Sequence, residues 1–146
     1  MEDAIRKADV LIEALPYIKE FHRKVMVIKY GGSILGDEKI RQGVLEDIVF
    51  LSYMGLCPVL VHGGGPNISE RMKQEGMKTE FVDGMRVTDE KTLAVVEEEL
   101  EKLNAIIVSE LQELGQKATG FSSKDSGVIL ARKRQEAKDL GLVGEV

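Results

Sequence analysis

One local phrase occurs twice in the first half of the chain, and it limits the possible folds more than any other feature. Val25-Met26-Val27-Ile28 is a short β-favouring run that stops at Gly31-Gly32. From Asp37 to about Met54 the spacing turns helical, through Ile40, Val44, Ile48 and Leu51, and Gly55 is the expected stop. Pro58-Val59-Leu60-Val61-His62 then reads as a second buried strand, Gly63-Gly64-Gly65 as a flexible turn, and Pro66 as the start of a helix ending around Gly76. Two strand–turn–helix units in succession, joined by right-handed crossovers, predict a parallel sheet covered by helices on its faces. The class is α/β.

The flanking segments add helices and short strands. Ile5, Ala8, Leu11, Ile12, Leu15, Ile18 and Phe21 mark an amphipathic helix before the first strand, interrupted near Pro16. Glu80 to Thr88 loses periodicity around Gly84 and is read as a hairpin or an ordered loop. Thr88 or Asp89 then caps the longest element, a helix with an apolar stripe at Leu93, Val96, Leu100, Leu103, Ile107, Leu111 and Leu114 that ends at Gly115. Its other face carries Glu97, Glu98, Glu101, Lys102 and Glu113 and is expected to be solvated. Lys117 to Phe121 and Val128 to Ala131 are strand candidates around the polar turn Ser122–Gly127. Leu142 to Val146 resembles the start of a further strand.

Composition narrows the class of partner. The 146 residues are 43% hydrophobic, enough for a real core, and 20 basic against 25 acidic residues give a net charge of -5. Nucleic acid is therefore not an expected partner. One cysteine, Cys57, makes neither an internal disulfide nor a multi-thiolate metal site, and the two histidines, His22 and His62, stand far apart; no metal site is expected. Cys57 beside Pro58 is read as a buried small hydrophobe. No apolar run approaches the roughly 20 residues of a membrane span, and the N-terminus is acidic where a secretory signal would be basic. The chain is expected to work in the reducing cytoplasm without a membrane partner.

Standard nucleotide signatures fail. The Gly-x-x-x-x-Gly-Lys-Ser/Thr loop and the Gly-x-Ser-x-Gly elbow are absent, and Ile68 stands where a dinucleotide fingerprint starting at Gly63 would need its third glycine. What remains is two glycine turns at the C-terminal ends of predicted strands, where open parallel sheets keep their ligand crevice. Glycines let backbone N–H groups approach an anion, and the helix that follows offers its partly positive end. Lys29, just before Tyr30-Gly31-Gly32, would add a full charge suited to a phosphoryl group in transfer; alternatively it is a solvated strand end beside a tight turn. Arg86, in Gly84-Met85-Arg86-Val87-Thr88-Asp89, could hold a carboxylate with its fork, or form a surface salt bridge to Asp83, Asp89 or Glu90. His62 is expected to hydrogen-bond locally at the strand end rather than act as a base.

Ile28-Lys29-Tyr30-Gly31-Gly32, then Val59 to Pro66, then Gly84 to Asp89, then Ser123-Lys124-Asp125, in this order, resemble acetylglutamate kinase of the amino acid kinase superfamily. The resemblance covers nearly the whole chain. It implies a three-layer sandwich with a mainly parallel central sheet, of which residues 24–146 would be the N-terminal, acetylglutamate-binding lobe. Residues 1–23 would be an N-terminal helix that acts in oligomerisation or, alternatively, packs on its own domain. The implied reaction is phosphorylation of the side-chain carboxylate of N-acetyl-L-glutamate by ATP with Mg2+, in arginine synthesis. By motif, Lys29 would stabilise the transferring phosphoryl group, Gly31, Gly32 and Gly64 would bind phosphate, Gly64 and Gly65 would meet the substrate, and Arg86 would clamp its α-carboxylate. A homodimer or hexamer, with arginine as feedback inhibitor, is the implied assembly.

The chain departs from the family at Ser33, where asparagine is usual, and at Leu103-Asn104-Ala105, where Val-Asn-Lys is usual. Family members are about twice as long, and their second half supplies most of the nucleotide site. The chain is thus expected to be an incomplete kinase with little activity alone. The alternative from another class is a non-catalytic sensor of acidic ligands, or an assembly module, derived from the substrate lobe.

Overall fold

The computed structural model describes residues 1–31, 37–122, 125, 127, 129–134 and 140–146. Helix α1 (Glu2–Phe21) leads into strand β1 (Val25–Tyr30), helix α2 (Glu38–Tyr53), strand β2 (Cys57–His62) and helix α3 (Gly65–Gln74). A short hairpin, β3 (Phe81–Val82) and β4 (Met85–Arg86), precedes the long helix α4 (Glu90–Glu113), and β5 (Arg132–Lys133) and β6 (Gly144–Glu145) form a last antiparallel pair. β1 and β2 lie parallel and in step, from Val25 opposite Cys57 to Tyr30 opposite His62, with α2 as the crossover.

The helices begin and end where side chains can satisfy their free backbone groups. The Asp37 carboxylate accepts from Ile40 N–H at 3.1 Å and the Asp89 carboxylate from Thr92 N–H at 2.7 Å, so α2 and α4 are capped. Asp89, not Thr88, is the cap of the long helix. The Thr88 hydroxyl instead donates to Arg86 O at 2.8 Å. Asp83 and Gly84 both sit at positive φ, 51° and 80°, which is the backbone an Asp-Gly hairpin turn needs. The segment from Glu80 to Thr88 is therefore the hairpin of the two readings.

Two apolar clusters share one helix. Tyr30 from β1, Leu45 and Ile48 from α2, and Leu103 and Ile107 from α4 form the first, with Ile28 and Leu60 packed against it. Ile68 and Met72 from α3 and Val95 from α4 form the second. The N-terminal half of α4 thus holds α3 while its C-terminal half holds the sheet and α2. A forked ion pair, Arg41 Nη2 to Glu110 Oε1 at 2.7 Å and Arg41 Nε to Glu110 Oε2 at 2.9 Å, clips α2 to α4 beside Tyr30. Burial raises the Tyr30 pKa, and its hydroxyl has no hydrogen-bond partner among the described residues.

Several expectations are revised. β2 alternates rather than being buried throughout: Val59 and Val61 are exposed, as are Val25 and Val27 of β1, because among the described residues helices cover only the face that carries Ile28, Tyr30 and Leu60. Cys57, the first residue of β2, falls on the open face and is exposed, not buried. α1 runs through Pro16 without a break, since one proline removes a single N–H and the rest of the ladder persists. Lys117 to Phe121 forms no strand, because α4 side-chain amides take its carbonyls: Gln112 Nε2 donates to Ala118 O at 3.2 Å and Asn104 Nδ2 to Phe121 O at 3.3 Å. The strand placed at Val128 to Ala131 forms later, at Arg132–Lys133, where β6 supplies its partner; Val128 lies outside the described residues. Among the described residues no helix is long and apolar enough to cross a membrane.

Two predictions follow from the packing. Leu45→Ala, at a fully buried position shared by α2, α4 and the sheet, should cost about 2–5 kcal/mol in denaturant unfolding, whereas exposed Phe50→Ala should cost far less. The Thr92 N–H holds the Asp89 carboxyl below its ordinary 3.8. A depressed folded pKa means the cap stabilises above that ordinary value and is lost as pH falls from it toward the folded one. The melting-temperature gap between the chain and its Asp89→Ala variant should accordingly be full at pH 7 and shrink below the ordinary value of 3.8.

Candidate functional site

Gly31 and the second glycine turn adjoin at the C-terminal end of the sheet. Gly63 N–H donates to Tyr30 O at 3.4 Å, so the residue after Tyr30, Gly31, lies beside the start of the second turn. Gly32 lies outside the described residues, as do Ser33, Ser123 and Lys124. Gly64 is buried, and a Cβ placed on it would stand 2.9 Å from Leu103 Cδ1 and 3.0 Å from Leu100 Cδ2. The glycine at 64 is therefore a packing requirement: it lets the start of α3 rest directly on α4. Gly64 is the cap residue of α3 and Pro66 sits in its first turn, which is the position where a missing N–H costs nothing.

Arg86 reaches this end of α3 from the hairpin. Its Nη2 donates to Ser69 Oγ at 2.7 Å and to Gly65 O at 3.3 Å, its Nη1 contacts Met72 Sδ at 3.2 Å, and the Phe81 ring lies under the guanidinium at 4.7 Å. Phe81 is the register partner of Arg86 in the hairpin, so the stacking follows from the strand pairing. Among the described residues no carboxylate lies within ion-pair distance of Arg86, and the expected alternative of a salt bridge to Asp83, Asp89 or Glu90 is not formed. Burial lowers the Arg86 pKa, but a guanidinium stays charged in water. A half-buried cation without an acid, next to the positive end of a ten-residue helix, is an arrangement that attracts an anion.

Lys29 is placed differently. It stands exposed opposite Val61 on the open face of β1–β2, and no hydrogen bond or ion pair joins it to Gly64, Gly65 or Arg86. Gly65 is exposed at the mouth of the second turn. His62 binds locally, as expected: its Nδ1 lies 3.1 Å from Gly63 O, and its Nε2 lies 3.4 Å from Asn104 Nδ2. Ser69, Met72 and Phe81 were not visible as site residues in the sequence; of these, Phe81 is recoverable from the hairpin register and Ser69 from its place one turn into α3.

Residues 24–146 match the amino acid kinase family. The chain belongs to that family. Among curated kinases of the family it is 50% identical to the acetylglutamate kinase of Caldanaerobacter subterraneus over 145 residues, covering 99% of this chain and 48% of that one. It is 48% identical to the acetylglutamate kinase of Methanocaldococcus jannaschii over 156 residues, covering 99% of this chain and 52% of that one. The chain thus spans about half the length of the curated relatives it matches, in their N-terminal part. Among solved structures, a Streptococcus mutans protein superposes with a TM-score of 0.71 at 25% identity, over 83% of this chain and 48% of that one. N-acetylglutamate synthase from Neisseria gonorrhoeae, complexed with coenzyme A and N-acetyl-glutamate, superposes with a TM-score of 0.68 at 23% identity, over 92% of this chain and 31% of that one, a likeness of fold. The α/β amino acid kinase fold with a parallel sheet is the one the motifs implied.

The packing of Gly64 gives a direct test. Gly64→Ala should destabilise the chain by about 1–3 kcal/mol, because the added methyl meets two leucines of α4. Combining it with Leu100→Ala, which opens the space, should recover part of that loss in the same unfolding measurement.

Proposed function

We propose that this chain carries the acceptor-binding part of an acetylglutamate kinase, which transfers the γ-phosphoryl group of ATP to the side-chain carboxylate of N-acetyl-L-glutamate. The observation that carries the proposal is the Arg86 guanidinium, half-buried beside the start of α3 with no acid partner among the described residues. The likeness to curated acetylglutamate kinases, about 50% identical to the chain, supports acetylglutamate as that anion.

In this scheme Arg86 holds the α-carboxylate of acetylglutamate, and its orientation is set in advance by Ser69, Gly65 O and the Phe81 ring. The N–H groups of Gly64 and Gly65 meet the reacting carboxylate and the phosphoryl oxygens as negative charge shifts between them. Gly31, beside the second glycine turn, and Gly32 bind phosphate, and Lys29 stabilises the phosphoryl group in transfer. Its open position on β1 suits a group that must reach a nucleotide lying across the end of the sheet. Magnesium, arriving with ATP, would neutralise phosphate charge; no residue described here is assigned to it.

The proposal extends to assembly. α1 buries none of its residues and exposes Ile5, Leu11, Ile12 and Leu15, which suits residues 1–23 as an oligomerisation element outside a domain at 24–146. A homodimer or hexamer inhibited by arginine, working in the cytoplasm as a step of arginine synthesis, completes the proposed picture.

Isothermal titration with N-acetyl-L-glutamate tests the core of it. The chain should bind the ligand, and Arg86→Ala should weaken binding about 10- to 100-fold, the worth of a charge-assisted hydrogen-bonded contact. Arg86→Lys should fall between the two because it keeps the charge and loses the fork. Equal affinity in all three chains would remove Arg86 from the site.

A further inference from the structure

His62 and Asn104 form a small polar chain at the point where β2 becomes the glycine turn. The Asn104 amide nitrogen has two protons and two neighbours that can accept them, His62 Nε2 at 3.4 Å and Phe121 O at 3.3 Å. With Nε2 accepting, the neutral imidazole carries its proton on Nδ1, which lies 3.1 Å from Gly63 O and donates to it. Gly63 is then held at both ends, since its own N–H donates to Tyr30 O. The peptide unit is planar and trans, so fixing the Gly63 carbonyl fixes the Gly64 N–H on the opposite side. Gly64 itself cannot slide, because its Cα is seated on Leu100 and Leu103 of the helix that also carries Asn104. The Gly64 N–H has no acceptor among the described residues.

We propose that Asn104 and His62 are positioning residues: Asn104 selects the Nδ1–H form of His62, and that form aims the Gly64 N–H at the acidic group bound in the site. The effect is one of preorganisation, in which a donor is oriented before the ligand arrives, and it passes through one defined tautomer. The identity of the acidic ligand rests on the function proposed above, whereas the tautomer and the orientation of the Gly64 amide do not.

Asn104→Asp tests this with almost no change of shape. An aspartate at 104 accepts where asparagine donates, so it draws the His62 proton to Nε2 and turns a lone pair on Nδ1 toward Gly63 O. Imidazole nitrogen resonances of the 15N-labelled chain should show the Nδ1–H tautomer at His62, and those of the variant its loss, together with a shift of the Gly64 amide resonance. Titration with N-acetyl-L-glutamate should show affinity about tenfold lower in the variant, the size of one hydrogen bond to a charged group. Asn104→Leu, which releases the imidazole without reversing the polarity, should give an intermediate loss, and serves if the aspartate variant does not fold. An Nε2–H tautomer in the unaltered chain would overturn the proposal, and so would a lost tautomer with unchanged affinity. If the expected tautomer and Gly64 shifts occur but the unaltered chain binds no acetylglutamate, the positioning role stands and the identity of the acid is what fails.

Discussion

The seat of Gly64 on α4 is the contact from which the rest of the site takes its geometry. A side chain at this position would push the start of α3 off Leu100 and Leu103, and with it every group that α3 presents. Because α4 reaches from the α3 cluster to the sheet cluster, the same helix sets the distance between the second glycine turn and the end of β1. Rigid packing of this kind is costly to deform, since interiors are filled to near crystal density and respond to shifts of a methyl group. A turn rich in glycine is thus made stiff by what it touches rather than by its own backbone.

On that base the distribution of charge becomes informative. Two other arginines that bind across elements have acids close by: Arg41 is forked onto Glu110, and Arg71 faces Glu75, Glu98 and Glu99. Among the described residues the groups that hold Arg86 are neutral: a hydroxyl, a carbonyl, a thioether and an aromatic face. Partial burial of a charge without a counter-charge works against the stability of the free chain and favours whatever anion restores the balance. The stretch that matches the amino acid kinase family, residues 24–146, includes this residue.

Much of this was legible in the sequence, for identifiable reasons. The order of strand, turn and helix could be read because Gly31, Gly55, Gly63 and Pro66 punctuate runs with clear periods. Arg86 stood out by its place in the Gly84–Asp89 segment. The errors have one source, which is that local pattern does not say which face meets what. Val59 and Val61 look as buried as Leu60 in a run of apolar residues, yet only Leu60 faces the helices, and Cys57 shares the open side with them. Phe121 reads as part of a strand until the amide of Asn104, far away in sequence, is seen to bind its carbonyl. Met72 comes to Arg86 from α3, a separate element, which no spacing rule within the hairpin segment could anticipate.

The most direct test of the account follows backbone and guanidinium resonances of the 15N-labelled chain while N-acetyl-L-glutamate is added. The amides of Gly64 and Gly65 and the side-chain nitrogens of Arg86 should move together along one saturating curve, while the exposed residues of α1 stay still. Saturation in which Arg86 and Gly64 remain unmoved would contradict the assignment of the acid to this end of α3.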